Sequence, residues 1–143
     1  MTDRRRVVGV DYGSRRVGLA LADPLRLFAR PVGTFAPGEA LTELARMHAA
    51  DPLATVVVGW PLTDDGHEGA AVNRVRPFMG RVRKALPGVN VVAQDERESS
   101  RRAMEEMVEA GVPRSRRREK GTLDAAAACV ILQDWLDEGG REG

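Results

Sequence analysis

The chain has 143 residues, 43% hydrophobic and 30% charged, with a formal net charge of +1. That length suits one domain with a single core, and the near-neutral balance excludes a bulk polycation, so any attraction to a polyanion must come from local basic clusters. The single cysteine, Cys129, excludes an internal disulfide and a zinc knuckle, and no apolar run reaches the ~20 residues that span a bilayer.

Cys129 sits in AAAACVILQDWL and reads as a small buried hydrophobe in a reducing, cytoplasmic setting. MTDRRRVVGVD has no secretory apolar segment before its acid. The expectation is one domain over residues 1–143, with frayed tails at 1–5 and 138–143.

Arg6 to Asp11 is short, apolar and β-branched, which predicts a strand. A glycine turn over Tyr12 to Arg15 leads into a return strand, Val17 to Ala22, giving an antiparallel hairpin. A third strand is expected over Leu25 to Thr34, at a sheet edge because of Pro31. Glu39 to Ala49 predicts a helix with Leu41, Leu44, Ala45 and His48 on one stripe. TVVVG, Thr55 to Gly59, reads as a strand covered on both faces. A Pro-, Asp- and Gly-rich loop then runs from Trp60 to Gly69.

Val72 to Leu86 predicts a second helix, with Pro77 marking a late start or a kink. Val89 to Ala93 is a further strand, ending in Gln94-Asp95-Glu96. Ser99 to Ala110 predicts a third helix, with Met104, Met107 and Val108 inward and i,i+4 pairs Arg101–Glu105 and Arg102–Glu106 outward. A charged loop, Arg114 to Lys120, precedes the last helix, Thr122 to Leu136. The order β-β-β-α-β-α-β-α-α predicts an α/β fold: a mixed five-stranded sheet flanked by helices, the first three strands antiparallel and two further strands parallel.

Three acidic positions fall where element ends can converge. Asp11 closes the first strand, Asp95 and Glu96 close the last, and Asp124 opens the final helix. Asp124 heads the stripe Ala127, Ala128, Ile131, Trp135, the apolar face that must meet the sheet. If the parallel strands lie beside the first, Asp11, Glu96 and Asp124 share the sheet edge that usually holds ligands. Clustered carboxylates call for a cation between them, and oxygen donors without His or Cys favour Mg²⁺ or Mn²⁺. Such a site suits phosphoryl chemistry. Each acid also has a plain structural reading: a turn cap for Asp11, a solvated strand end for Asp95 and Glu96, and a dipole partner for Asp124.

Basic residues surround these positions. Arg15 and Arg16 follow the turn at Gly13, and Arg114, Arg116, Arg117, Arg118 and Lys120 lie just before Asp124. They are candidates for holding phosphates, and Arg97, beside Glu96, is counted with them. His67 and Trp60 border the loop expected near the active edge, Trp60 more as core or rim packing than as a base-stacking platform. His48 reads as a core-edge residue.

The segments DYGSRRVGLALAD, VVVGWPLTDDGHEG, DER at 95–97 and KGTLDAAAACVILQDWL occur in one order over Val7 to Leu136. Together they resemble the YqgF family, also called RuvX, of pre-16S rRNA nucleases and Holliday-junction-resolvase-like proteins with an RNase H-like fold. The resemblance implies a divalent-metal-dependent nuclease with Asp11, Glu96 and Asp124 as catalytic metal ligands, Asp95 remaining open as a fourth. It also implies cytoplasmic location and a role in 5′ maturation of small-subunit rRNA in ribosome biogenesis. Precursor RNA, branched DNA and the ribosome are the implied partners, with no membrane. Glu98, Trp60 before Pro61, and Thr63 depart from the family pattern, which has an apolar residue, Leu and Asn there.

Three alternatives compete with that reading. One is a Holliday junction resolvase acting in recombination and repair, for which a homodimer rather than a monomer matches the two-fold substrate. Another is a non-catalytic RNA- or ribosome-binding module on the same fold. The third, a phosphotransferase of the sugar-kinase type, is disfavoured because such proteins close two domains over a nucleotide and this length supplies one.

Overall fold

The computed structural model describes residues 5–13, 15–96, 99–113, 115 and 122–140, with backbone alone at 99, 100 and 122. Among these residues the elements are β1 (Arg6–Tyr12), β2 (Val17–Ala22), β3 (Ala29–Phe35), α1 (Pro37–Ala50), β4 (Leu53–Trp60), α2 (Val72–Ala85), β5 (Asn90–Asp95), α3 (Ser99–Glu109) and α4 (Thr122–Asp137). The sheet order is β3-β2-β1-β4-β5. The β1–β2 and β2–β3 pairs are antiparallel, and β1–β4 and β4–β5 are parallel, as the element order predicts. No helix among the described residues is long and apolar enough to cross a membrane.

Strand alternation divides the core into two layers. Val8, Val10, Val17, Leu19, Val56 and Val58 face α1 and α2, where Leu44, Phe78 and Val82 are fully buried against them. Val7, Ala20, Ala22 and Val57 face the other way, toward Ala128, Ile131, Leu132 and Leu136 of α4. Helix α3 packs behind α4, joining Ala103 to Ala127 and Val130. Lying between the sheet and α3, α4 is apolar around most of its circumference, which is why its sequence lacks a broad polar face.

The α4 side of the sheet has a glycine floor. A Cβ at Gly9 would lie 2.6 Å from Leu132 Cβ and 2.9 Å from Ala128 O; one at Gly18 would lie 2.1 Å from Asp124 O. Real Cβ atoms essentially never come within 3.0 Å of such neighbours, so α4 sits against bare strand backbone. The close approach that Ala127 and Ala128 suggest from the helix side depends equally on these two strand glycines.

Several expectations shift. The third strand begins at Ala29, not Leu25, because the Asp23 carboxylate accepts the backbone N–H groups of Leu25 (3.1 Å), Leu27 (2.8 Å) and Phe28 (2.7 Å). That capture folds residues 23–28 into a loop, with Arg26 at φ 57°. Pro31 does lie on an edge strand, and Val32 is the extra residue where the ladder shifts between Leu19 and Ala20. Helix α2 starts at Val72 and runs through Pro77. The buried stripe of α1 is Ala40, Leu44 and Met47.

On α3, Val108 is exposed while Ala103 and Met107 are buried. Arg102, expected to pair with Glu106, directs both guanidinium nitrogens to Asp134 of α4 at 2.7 and 2.9 Å. A bidentate fork between two helices satisfies Arg geometry better than a flexible intrahelical pair.

Gly18→Ala should destabilise the protein by about 3 kcal/mol or more, since the new methyl meets backbone rather than a movable side chain. Gly80→Ala, in α2 with nothing within 4 Å of the added carbon, should stabilise it by about 0.5–1 kcal/mol. Urea unfolding midpoints at unchanged slope measure both.

Candidate active site

The glycine floor that admits α4 also assembles a cluster of acids. Asp11 follows Val7 and Gly9 on the α4 face of β1, and its cross-strand partner is Gly18. Gly18 lies directly beneath the Asp124 backbone in the first turn of α4. Asp11 and Asp124 are thus neighbours through one missing Cβ. Glu96 follows β5, and its N–H donates to Trp60 O at 3.2 Å, prolonging the parallel ladder by one step. Its carboxyl group folds over the third strand glycine: a Cβ at Gly59 would lie 2.7 Å from both Glu96 Cδ and Oε2.

The electrostatics match this crowding. Burial raises the Asp11 carboxyl from 3.8 to about 6; a hydrogen bond with Glu96 opposes the rise, and the Asp124 charge adds to it. Asp11 and Glu96 therefore form a carboxyl pair, with Asp124 as the third member. Asp124 accepts a 2.8 Å hydrogen bond at Oδ2 from Arg16 Nε, in an ion pair that remains partly open to solvent. The backbone of Arg16 is held by the turn below it: Gly13 N–H donates to Arg16 O at 2.9 Å, and a Cβ at Gly13 would come within 2.7 Å of that oxygen.

The donor set fits a hard divalent cation. It consists of carboxylate oxygens, two of which share a hydrogen bond that a cation can replace. Among the described residues, no three Asp, Glu, His or Cys side chains form a ready-made ion cage. Asp124 is instead directed to the Arg16 guanidinium.

The other candidates fall in different places. Gln94, whose amide donates to Glu138 beyond α4, and Glu96 lie on the α4 face, so alternation puts Asp95 on the α1–α2 face. That placement removes Asp95 from the acid cluster. Trp60 is likewise on the far face: its ring packs on the α1–α2 core, with the Arg76 guanidinium 5.4 Å from the ring centroid. Only its carbonyl borders Glu96. His67 is exposed on the 61–71 loop, with Nε2 3.9 Å from Asp65.

Arg15 is exposed beside Arg16. Arg97, Arg114, Arg116, Arg117, Arg118 and Lys120, predicted to bind nucleic acid, lie outside the described residues. His48 accepts the Leu53 N–H at Nδ1 (3.0 Å), tying α1 to β4. Cys129 is half-buried against the α4 layer, and burial, with the Glu106 charge, pushes its thiol up to about 12. The shift disfavours the thiolate, the nucleophilic form.

Asp11, Glu96 and Asp124 stand out in the sequence as candidates, whereas the glycines that let their elements approach do not. The available signal was an isolated Gly inside each of three strand patterns, which marks close backbone approach. The Arg16–Asp124 contact left no comparable signal, since it joins positions 108 apart in sequence.

A mixed sheet in this order, covered by helices on both faces and carrying acids at the ends of β1 and β5 and at the start of α4, defines an RNase H-like α/β protein. Two solved structures share the fold. T. thermophilus RuvC, in complex with Holliday junction substrate, has a TM-score of 0.58 at 16% identity, covering 94% of this chain and 96% of RuvC. Fowlpox virus resolvase, in complex with substrate Holliday junction DNA, has a TM-score of 0.59 at 8% identity, covering 93% and 97%.

A model of the RuvX family, described as Holliday junction resolvase, matches residues 5–138, and the chain belongs to that family. Proteins named "Putative pre-16S rRNA nuclease" from Salinibacter ruber and Chlorobium luteolum are 49% and 47% identical to it. The first alignment covers 98% of both chains, the second 96% of this chain and 98% of the relative. Membership makes the protein one of a family of hydrolases of nucleic-acid ester bonds.

The raised Asp11 pKa has a consequence for stability. Its proton is held more tightly in the folded state, so its contribution is fully present below pH 3.8 and is lost as pH rises through about 6. Asp11→Asn removes the buried charge and should raise the melting temperature in chelator at pH 8 by roughly 5 °C, with little gain at pH 4. Thermal melts across that range test the assignment, and an equal gain at both pH values would contradict it.

Proposed function

We propose that the protein is a divalent-metal-dependent nuclease that trims the 5′ end of precursor small-subunit rRNA. The observation that carries the reading is the hydrogen-bonded Asp11–Glu96 carboxyl pair beside Asp124, where β1, β5 and α4 converge. A non-catalytic binding module gains nothing from three acids facing a phosphate backbone. The names of the relatives support precursor rRNA as substrate.

Asp11, Glu96 and Asp124 would hold the metal. When bound, divalent ions supply Lewis acidity and a water that is nucleophilic at neutral pH. Asp11 and Glu96, fixed at strand ends, set the rigid side of the site, while Asp124 approaches from the helix. Arg15, at the rim, attracts and orients the polyanion. Arg97 and the basic run Arg114, Arg116, Arg117, Arg118 and Lys120 extend that attraction in sequence to both sides of α3. A cytoplasmic location accords with this role.

Branched DNA is the second candidate substrate, favoured by the family's description as a Holliday junction resolvase. On that reading a homodimer would present two sites to a two-fold junction.

Wild type and the variants Asp11→Asn, Glu96→Gln and Asp124→Asn should be compared on precursor rRNA, single-stranded DNA and a four-way junction. With Mg²⁺ or Mn²⁺, the expected result is preferential cleavage of precursor rRNA by wild type. Each variant should lose roughly 10²-fold or more in rate, and chelation should abolish turnover. Cleavage at the wild-type rate by Asp11→Asn would refute the site, whereas preference for the four-way junction would select the second substrate.

A further inference from the structure

Arg16 holds a place that the nuclease reading leaves unexplained. It emerges from the β1–β2 turn, crosses to α4, and places Nε 2.8 Å from Asp124 Oδ2. It thus puts a fixed positive charge on one of the three acids. Its backbone has little freedom to move away, because Gly13 and Arg16 close the turn through a 2.9 Å hydrogen bond. The side chain is different: at 42% exposed it is flanked by solvent and can change partners without disturbing the core.

Three carboxylates this close repel one another unless a cation intervenes. In this structure the Asp11–Glu96 pair is relieved by a shared hydrogen bond and Asp124 by a guanidinium. We propose that Arg16 is a built-in counter-ion that competes with the divalent metal for Asp124 and, once displaced, turns to the substrate phosphate. The proposal rests on the nuclease reading.

Two properties make Arg16 suited to both roles. Its guanidinium stays charged at every relevant pH, so it neutralises Asp124 without a proton change. The same planar fork recognises carboxylate and phosphate alike, so one side chain can pass from one to the other. Arg16 then links the loaded state of the site to substrate capture: its guanidinium faces inward while Asp124 needs a partner and outward once it does not. In this account Arg16 is a positioning residue for Asp124 and a phosphate contact for the substrate.

The test uses Mn²⁺ alone, titrated calorimetrically into the chain without nucleic acid. Wild type, Arg16→Gln, Arg16→Lys and Asp124→Asn are compared. Arg16→Gln should bind Mn²⁺ roughly three- to tenfold more tightly than wild type, because the competing charge is gone. Arg16→Lys should fall between them, and Asp124→Asn should bind more weakly than all three.

The Mn²⁺-induced rise in melting temperature should follow the same order, which covers any variant with reduced starting stability. In the presence of Ca²⁺, binding of a fluorescent RNA strand should weaken several-fold in Arg16→Gln and less in Arg16→Lys. A purely structural Arg16 would lower the melting temperature and leave Mn²⁺ affinity unchanged. Unchanged or weaker Mn²⁺ binding by Arg16→Gln overturns the proposal while leaving the nuclease reading intact. Failure of wild type to bind Mn²⁺ at all overturns both.

Discussion

The seating of α4 on a sheet without side chains is the contact from which the rest of this molecule follows. Gly9 and Gly18 remove the carbons that would hold the helix away, and Asp124 O comes to rest where a Gly18 Cβ would be. Dispersion and burial reward that approach: Ala128, Ile131, Leu132 and Leu136 become fully or almost fully buried against Val7, Ala20, Ala22 and Val57. The same geometry forces the first turn of α4, with its acid, beside the end of β1. Packing energy from the long apolar body of the helix thus offsets electrostatic repulsion at its head.

This arrangement explains why the cluster draws on partners within the chain: Arg16 for Asp124, and a shared hydrogen bond for Asp11 and Glu96. An acid whose ordinary pKa is below 4 is raised to about 6 because burial and a neighbouring charge act together. Clusters of this kind are unfavourable for folding and persist where the surrounding structure over-determines them. Here the over-determination is visible: Asp11 and Glu96 lie at the ends of parallel-sheet strands, and α4 is clamped from behind by α3. The Arg102–Asp134 fork strengthens that clamp. The elements that bear the acids are the ones with the least freedom to relax the repulsion.

Legibility in the sequence followed the range of the interactions involved. Strand β2 and the span of α2 are governed by local patterning, and both lie within a residue of where the sequence predicts them. The start of β3 departs from local strand propensity because a single carboxylate, Asp23, captures three amides. Arg102 differs for a similar reason: an i,i+4 partner is visible in sequence, whereas Asp134 becomes a neighbour only after two helices dock. Trp60 adjoins Glu96 across the ladder, yet strand alternation seats its ring in the opposite layer, in line with the packing role its sequence position favours.

The sequence by itself determined the strand and helix order, the mixed sheet it implies, and the three acids that occupy element ends. These properties depend on period, composition and local chain stiffness, all of which act over a few residues. Tertiary structure alone decided which acids share a face, separating Glu96 from its neighbour Asp95. It also decided how closely α4 approaches and which basic residue meets Asp124. Those outcomes depend on contacts between residues such as Gly18 and Asp124, more than a hundred positions apart, whose proximity exists only once the helix has packed on the sheet.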